Sequence, residues 1–121
     1  MFRRAYTQSA MAISERLGLG AFLATWPQGY ETAIDDGAYE SIPRGIKQRI
    51  TIARALVTDP RLVLFDEANT AIDGIGDEKL RAVLQSMHGN TTLILISHRP
   101  SLLRLADRVF ELKGGALIPL K

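Results

Sequence analysis

The sequence predicts an α/β fold in which helices flank parallel strands and a β-hairpin ends the chain. Two apolar runs, residues 62–65 and 91–96, have the length and composition of buried strands. Apolar residues recur at helical spacing before and between these runs, so helices and strands alternate along the chain. This alternation is typical of parallel strands with helices packed on them.

The composition fits one small globular domain of 121 residues, of which 46% are hydrophobic and 23% charged. The formal net charge is +2 and the basic residues are scattered, so no nucleic-acid partner is predicted. The absence of cysteine excludes disulfides, thiolate metal sites and cysteine nucleophiles. No apolar run approaches the roughly 20 residues that span a bilayer, and residues 1–6 do not lead into a signal-peptide stretch.

The N-terminal part predicts a helix and then an irregular segment. Residues 2–17 are rich in helix formers and lack proline, and Gly18 and Gly20 end this helix. One further helical turn is predicted over residues 21–25. Proline, glycine and acidic residues then predict turns and irregular structure over residues 26–41.

The rest of the chain predicts the alternating layer. A helix with one apolar stripe runs from Gly45 to Asp59-Pro60, ahead of a first strand that is covered on both faces. Asp73-Gly74 is a turn before a second amphipathic helix that Gly89-Asn90 ends. After the second strand, a short helix over residues 100–106 and a terminal hairpin over residues 108–120 are predicted.

Both buried strands end in residues that can perform chemistry. Asp66 and Glu67 follow the first strand, and Ser97 and His98 follow the second. Since ligands bind at the carboxyl ends of parallel strands, adjacent strands would bring two carboxylates and an imidazole to one rim. Such a set suits phosphoryl transfer, with one acid on Mg²⁺, one orienting water and a histidine sensing the transferred group.

Each of these features alone also has a plain structural explanation. An Asp-Glu pair suits a solvated strand end or a helix cap, and a single histidine suits a surface or capping position. Asp73 suits a turn beside Gly74. The order and spacing of the features together favour the functional interpretation.

Several short segments carry a family resemblance when they are read in order. Residues 62–67 (LVLFDE), 70–73 (TAID) and 96–99 (ISHR) resemble the Walker B motif with its following glutamate, the D-loop and the switch-histidine region of ABC ATPases. Residues 48–56 (QRITIARAL) resemble the helix that follows the signature loop of that family. Residues 27–32 (PQGYET) resemble the segment before that loop in exporter-type members.

The resemblance covers nearly the whole chain from about Leu17 and implies the C-terminal part of a P-loop NTPase fold. Residues 1–58 would be a portion of the helical subdomain and residues 59–121 the C-terminal part of the ATPase core, together one incomplete domain. The implied activity is ATP hydrolysis that drives export, with ATP and Mg²⁺ as cofactors. The implied partners are a second ATPase subunit and a transmembrane domain outside this chain, which would place the chain at the cytoplasmic face of the cell membrane.

The resemblance also implies individual roles. Asp66 would hold Mg²⁺ through water, Glu67 would polarise the attacking water as general base, and His98 would contact the γ-phosphate. Asp73 and its loop would communicate with the opposing subunit.

One departure from the family is that the chain contains no G-x-x-x-x-G-K-[ST] loop. That loop supplies backbone N–H groups and a lysine to the phosphates, and in the family it precedes the region where this chain begins. We therefore expect the chain alone to bind Mg·ATP weakly or not at all and to be inactive. The strands that would accompany the loop are also missing, which predicts an uncovered sheet edge and self-association.

The second departure lies in the signature loop. The family pattern L-S-G-G-Q aligns with residues 42–46 (IPRGI), where only Gly45 matches. Pro43 has neither a hydroxyl nor an N–H, so Ser41 is the candidate helix cap, and Ser41, Arg44 and Gly45 join Asp73 as candidate nucleotide contacts. Arg44 is either a solvated arginine at a helix start or a charge-assisted contact to the γ-phosphate of ATP on the opposite subunit.

Three other functions stay open. The chain can be the regulatory half of a heterodimer, an inactive truncated remnant, or an ABC-type ATPase of DNA repair or chromosome maintenance. Long heptad segments and a basic face, which the last class requires, are not visible in the sequence. Retention of Glu67 and His98 favours a hydrolytic half that is in use, because the altered signature loop affects only the site completed on the partner.

Overall fold

The computed structural model describes residues 2–121, apart from the side chains of residues 2–6 and 36. Residues 1–6 were not expected to lead into a signal peptide, and the first of them, Met1, lies outside the described residues. The elements in chain order are α1 (Phe2–Arg16), α2 (Gly20–Leu23), a 3-10 turn (Gly29–Glu31), α3 (Asp36–Ser41), α4 (Arg44–Leu56), β1 (Leu62–Asp66), α5 (Gly74–Ser86), β2 (Thr92–Ile96), α6 (Pro100–Leu103), β3 (Phe110–Lys113) and β4 (Ala116–Pro119). The predicted alternation of helices and strands is confirmed.

The two predicted core strands are hydrogen-bonded neighbours. β1 and β2 pair in parallel, with Leu62 opposite Thr92 and Asp66 opposite Ile96. Their carboxyl ends therefore meet at one rim, as the sequence predicted for adjacent strands. The terminal hairpin is confirmed as well, because β3 and β4 pair antiparallel around Gly114 and Gly115, both of which have positive φ angles.

The core lies between the helices and one face of the β1–β2 sheet. α4 buries Ile46, Ile52, Ala53 and Leu56, which is the apolar stripe that its sequence predicted. Leu80, Val83 and Leu84 of α5 and Leu102 of α6 are almost completely buried, as are Leu17 and Leu19 between α1 and α2. Across the part of the chain that the structure describes, no helix is long and apolar enough to cross a membrane.

The prediction that the strands are covered on both faces is wrong. Val63 and Phe65 are buried, but Leu62 and Leu64 on the opposite face of β1 are 56% and 71% exposed. Ile94 and Ile96 on the same face of β2 are also about half exposed, at 50% and 53%. The reason is geometric: successive side chains of a strand point to opposite faces, and the described helices pack on one face only. The sheet has two strands, so the uncovered edges that we expected are present.

The segment before α4 also differs from the prediction, because part of the expected irregular region is α3. Asp35 caps this helix by accepting a hydrogen bond from the Ala38 N–H at 2.7 Å. Ser41 is the last residue of α3, and its hydroxyl donates to the Ala38 carbonyl at 2.7 Å. The prediction that Ser41 caps the next helix is therefore wrong. Pro43 holds the N-cap position of α4 and provides no side-chain cap.

Candidate active site

The rim at the carboxyl ends of β1 and β2 brings Glu67 and His98 into direct contact. The Glu67 N–H donates to the Ile96 carbonyl at 2.8 Å, which extends the strand pairing by one residue beyond β1. Glu67 Oε1 then lies 2.9 Å from His98 Nε2. A carboxylate that can accept a proton and an imidazole that can orient it thus form a pair at the end of the sheet.

Glu67 has a backbone conformation that is uncommon for its residue type. Its φ angle is +48°, in the left-handed region that favours glycine. Such a conformation costs on the order of 1–3 kcal/mol, and conformations of this kind tend to cluster at functional sites. The strain falls on the residue whose carboxylate the sequence singled out, which supports a functional role for this turn.

The pair lies in a small open cleft of about 170 Å³, lined by Glu67, Asn69, Thr70, Ser97, His98 and Arg99. The side chain of His98 is 94% exposed and that of Glu67 is 39% exposed, so water and a polar ligand have access to both. Asp66 ends β1 directly beside the pair. Glu67 and His98 therefore meet at the rim as predicted, whereas Asp66 is not among the residues that line the cleft, and its role there stays a prediction.

The donor set at this rim suits Mg²⁺ better than a transition metal. No group of three or more histidine, cysteine or acidic side chains is placed to hold a metal within the described residues. Mg²⁺ needs no such group, because it takes one or two carboxylates and completes its shell with water and phosphate oxygens. Asp66 and Glu67 supply carboxylates of that kind, so the residues fit a metal that arrives with a phosphate ligand.

One side of the cleft is the loop over residues 69–72, which is held by Arg99 at the start of α6. Arg99 Nη1 donates to the Ile72 carbonyl at 2.6 Å, and Nη2 donates to the Thr70 carbonyl at 3.2 Å. Asp77 of α5 balances the guanidinium charge at 3.0 Å and also accepts from Asn69 Nδ2 at 3.4 Å. Asn69 itself is 1% exposed, so this loop is built into the core at one end.

The start of α4 holds the other side of the same loop. Gln48 Oε1 accepts the Ala71 N–H at 2.7 Å, and Gln48 Nε2 donates to the Thr70 hydroxyl at 2.9 Å. A Cβ atom on Gly45 would lie 2.6 Å from the Ala71 carbonyl oxygen. The glycine that matches the family signature is therefore required here by the close approach of α4 to the loop.

The remaining candidate contacts do not line the cleft that holds the Glu67–His98 pair. Arg44 is exposed, and its Nη2 is 3.5 Å from the Thr70 hydroxyl, at the limit of a hydrogen bond. Asp73 takes the N-cap position of α5 without a side-chain cap. It lines a different cleft, which it shares with Arg49 and Lys79. Ser41, Arg44 and Gly45 thus cluster around the start of α4, and their contact with a nucleotide stays a prediction.

Sequence reasoning missed the residues that hold the loop. Gln48, Thr70 and Arg99 lie inside motif-like segments but received no role of their own, and Asn69 and Asp77 belong to no recognised pattern. The position of Arg99 directly after His98 could have indicated a role at the site. A guanidinium at that position can reach carbonyl and carboxylate oxygens of the same site.

No family model matches the chain, but individual relatives do. It is 35% identical over 103 residues to the ABC transporter B family member 26, chloroplastic, of Arabidopsis thaliana, covering 82% of this chain and 14% of that protein. It is 36% identical over 97 residues to P-glycoprotein 14 of Caenorhabditis elegans, covering 80% and 7%. It is 37% identical over 94 residues to ABC multidrug transporter E of Aspergillus fumigatus, covering 78% and 7%.

A solved structure shares the fold. The bacterial Atm1-family ABC exporter with ATP bound superposes with a TM-score of 0.78 at 32% identity, covering 91% of this chain and 19% of that one. The chain thus spans between 7% and 14% of the length of the three relatives named above.

Proposed function

We infer, since the chain belongs to the exporter-type ABC transporter family, that it supplies the hydrolytic half of an ATPase domain that drives export across a membrane. The observation that carries this proposal is the Glu67–His98 pair, with 2.9 Å between Oε1 and Nε2, at the meeting ends of two parallel strands. Phosphoryl transfer to water needs a carboxylate that orients the water and a polar group near the transferred phosphate. This rim offers both.

We also propose a domain assignment, which rests on the order of the motifs along the chain. Residues 1–58 would form the portion of a helical subdomain that carries the signature-like loop, and residues 59–121 the C-terminal part of a P-loop NTPase core. The open face and free edges of the β1–β2 sheet support an incomplete domain, because exposed apolar strands of this kind normally pack against further elements. The whole assembly would then lie at the cytoplasmic face of a membrane through a transmembrane domain.

The proposed chemistry assigns one role to each rim residue. Mg·ATP, when bound, supplies the phosphoryl group and the metal charge. Asp66 would hold the metal through water, and Glu67 would accept the proton of the water that attacks the γ-phosphorus. His98 now contacts Glu67, which orients the carboxylate, and its 94% exposed side chain is free to turn toward a phosphate. A positioned general base contributes about 10²- to 10⁴-fold to such a rate.

The start of α4 would act on ATP bound to a second ATPase subunit. Arg44 is exposed and its guanidinium suits a γ-phosphate, while Ser41 and Gly45 lie beside it and Asp73 faces the next cleft. The second candidate function, a regulatory half in a heterodimer, is favoured by one observation. Pro43 stands where the signature has its serine, and α4 has no side-chain cap.

The direct test uses the native gene product that contains this sequence. Glu67→Gln should lower its Mg²⁺-dependent kcat for ATP hydrolysis by about 10²- to 10⁴-fold and leave ATP binding intact. Glu78→Gln, on the exposed face of α5, is the matched control and should leave kcat unchanged. Equal rates for wild type and Glu67→Gln would contradict the hydrolytic role, and activity only with a second, different subunit would favour the heterodimer.

A second test concerns the 121-residue chain by itself. Its sequence contains no phosphate-binding loop, so calorimetric titration should detect no tight Mg·ATP binding. A micromolar dissociation constant would overturn the expectation that this chain alone binds Mg·ATP weakly or not at all.

A further inference from the structure

The 69–72 loop lies between two groups of residues that the proposed function uses separately. On one side is the start of α4 with Arg44 and Gly45, and on the other is the Glu67–His98 pair. The loop is hydrogen-bonded to Gln48 of α4 on the first side and to Arg99, the residue that follows His98, on the second. Hydrogen bonds of this kind depend steeply on distance and angle, so they can pass a displacement from one side to the other.

Gln48 uses both ends of its amide on consecutive loop residues. Its oxygen accepts from Ala71 and its nitrogen donates to the Thr70 hydroxyl, at 2.7 Å and 2.9 Å. Because acceptor and donor are both engaged, the amide has one orientation and a movement of α4 displaces Thr70 and Ala71 together. Gly45 permits the close approach of α4 to the loop, because a Cβ atom at this position would lie 2.6 Å from the Ala71 carbonyl oxygen.

Arg99 holds the same peptide units from the opposite side. Its two terminal nitrogens reach the carbonyls of Thr70 and Ile72, while Asp77, whose side chain is 15% exposed, fixes the guanidinium. Thr70 is therefore held at its hydroxyl by Gln48 and at its carbonyl by Arg99. The backbone N–H of Arg99 donates to the Ser97 hydroxyl at 3.0 Å, which closes a turn around His98.

We propose that Gln48 and Arg99 are positioning residues that hold the 69–72 loop from both sides, and so couple the start of α4 to the geometry of the Glu67–His98 pair. The proposal rests on the proposed function only in taking that pair as the hydrolytic site. In an ATPase dimer, a contact made by Arg44 or Gly45 with the partner's nucleotide would reach the residue next to His98 through this loop.

The test of the coupling uses NMR on the full 121-residue chain and needs no nucleotide. Gln48→Leu removes both amide contacts, and Arg99→Lys keeps the charge but loses the planar fork. Gln85→Leu on exposed α5 and Arg104→Lys at the exposed end of α6 are the matched controls. Hydrogen exchange is followed at the Ala71 amide and, as a measure of global stability, at the buried Leu84 amide.

Gln48→Leu should accelerate exchange at Ala71 by about ten-fold or more relative to Leu84, and should shift the Arg99 guanidinium and His98 ring signals. Arg99→Lys should also accelerate exchange at Ala71, which Arg99 does not touch. In the double variant the two effects should be less than multiplicative, because both act through Thr70. Multiplicative effects, unmoved Arg99 and His98 signals after Gln48→Leu, or equal acceleration at Ala71 and Leu84 would each overturn the proposal.

If Gln48→Leu does not fold, Gln48→Glu takes its place. It keeps the acceptor for Ala71 and loses the donor to Thr70, so the Ala71 amide should stay protected while the Thr70 and Arg99 signals shift. A Thr70 signal that does not move in this variant would contradict the role of Gln48.

The consequence for catalysis is measured on the native gene product. Gln48→Leu and Arg99→Lys should lower kcat by roughly ten- to a hundred-fold with KM for ATP little changed. Unchanged kcat in an active product would overturn the positioning role. An inactive wild-type product would instead count against the proposed function, and the exchange experiment would still decide the coupling.

Discussion

The two faces of the β1–β2 sheet have similar apolar composition but different surroundings. Val63 and Phe65 on one face are 8% and 3% exposed, whereas Leu62 and Leu64 on the other are 56% and 71% exposed. The difference shows that an apolar run indicates a strand suited to burial on both faces. It does not show whether other elements of this chain pack on each of those faces.

The packed face has a definite set of partners. Val63 and Phe65 belong to the same buried cluster as residues of α4, α5 and α6, and Leu62 and Leu64 do not. The cohesion of the described structure therefore depends on one face of the sheet. Substitutions on the two faces should have very different costs.

The largest expected contrast is between Phe65→Ala and Leu64→Ala, which are neighbours on opposite faces. Loss of a buried phenylalanine side chain costs about 3–5 kcal/mol, and loss of an exposed leucine should cost about 0.5 kcal/mol or less. Urea unfolding of the 121-residue chain measures both. If Phe65→Ala does not fold, Phe65→Leu should still fold with a smaller loss. Equal losses at the two positions would mean that the open face is packed in solution.

A similar contrast is expected between a closely packed and an open helix position when a side chain is enlarged. Gly45 and Gly37 hold the same second position of α4 and α3, but a Cβ on Gly45 meets the Ala71 carbonyl oxygen at 2.6 Å, while the nearest atom to one on Gly37 is Asp35 Oδ1 at 3.7 Å. Overpacking costs about 1–3 kcal/mol, which exceeds the gain of up to about 1 kcal/mol that alanine brings to a helix. Gly45→Ala should therefore destabilise, and Gly37→Ala should be neutral or stabilising. Stabilisation by both, measured as urea midpoints, would show that the loop can move away from α4.

A smaller difference in stability is expected between glycine substitutions at the strained Glu67 and at the helical Glu78. Glu67→Gly relieves a left-handed backbone that costs about 1–2 kcal/mol, against a glycine entropy cost of about 0.5–1 kcal/mol. We expect Glu67→Gly to leave stability unchanged or to raise it by up to about 1 kcal/mol. Glu78→Gly in the exposed middle of α5 should lower it by about 1 kcal/mol. Equal losses in thermal unfolding would mean that the Glu67 conformation carries no strain.

Much of the fold and part of the site could be predicted from the sequence. The strand ends placed Glu67 and His98 at one rim because parallel pairing leaves little freedom once two strands are adjacent. α3 was missed because its signal is a capping carboxylate, Asp35, and not an apolar period. The coverage of the sheet faces could not be read either, because it depends on which other elements pack there.

The residues that hold the loop were out of reach for a different reason. Arg99 binds carbonyls 27 and 29 residues away, and Gln48 binds atoms 22 and 23 residues away. Side-chain hydrogen bonds to a distant backbone leave no periodicity in the sequence and need a polar residue at one end only, because the backbone supplies the other partner. The same reasoning that predicts strands and helices therefore cannot find them.

The smallest expected effect lies on the surface, away from both faces of the sheet. Burial raises the pKa of Tyr30 above its usual 10.0, and the Glu15 carboxylate adds to the rise by accepting the Tyr30 hydroxyl at 3.3 Å. A raised pKa in the folded state means that this contribution to stability is fully present below about pH 10 and is lost as pH rises through the folded pKa. Urea unfolding between about pH 8 and 12 should show an alkaline loss that Tyr30→Phe removes and Glu15→Gln reduces. The loss of stability should be modest because Tyr30 is 36% exposed. Parallel pH profiles for wild type and Tyr30→Phe would show that neither burial nor Glu15 changes the pKa of Tyr30 on folding.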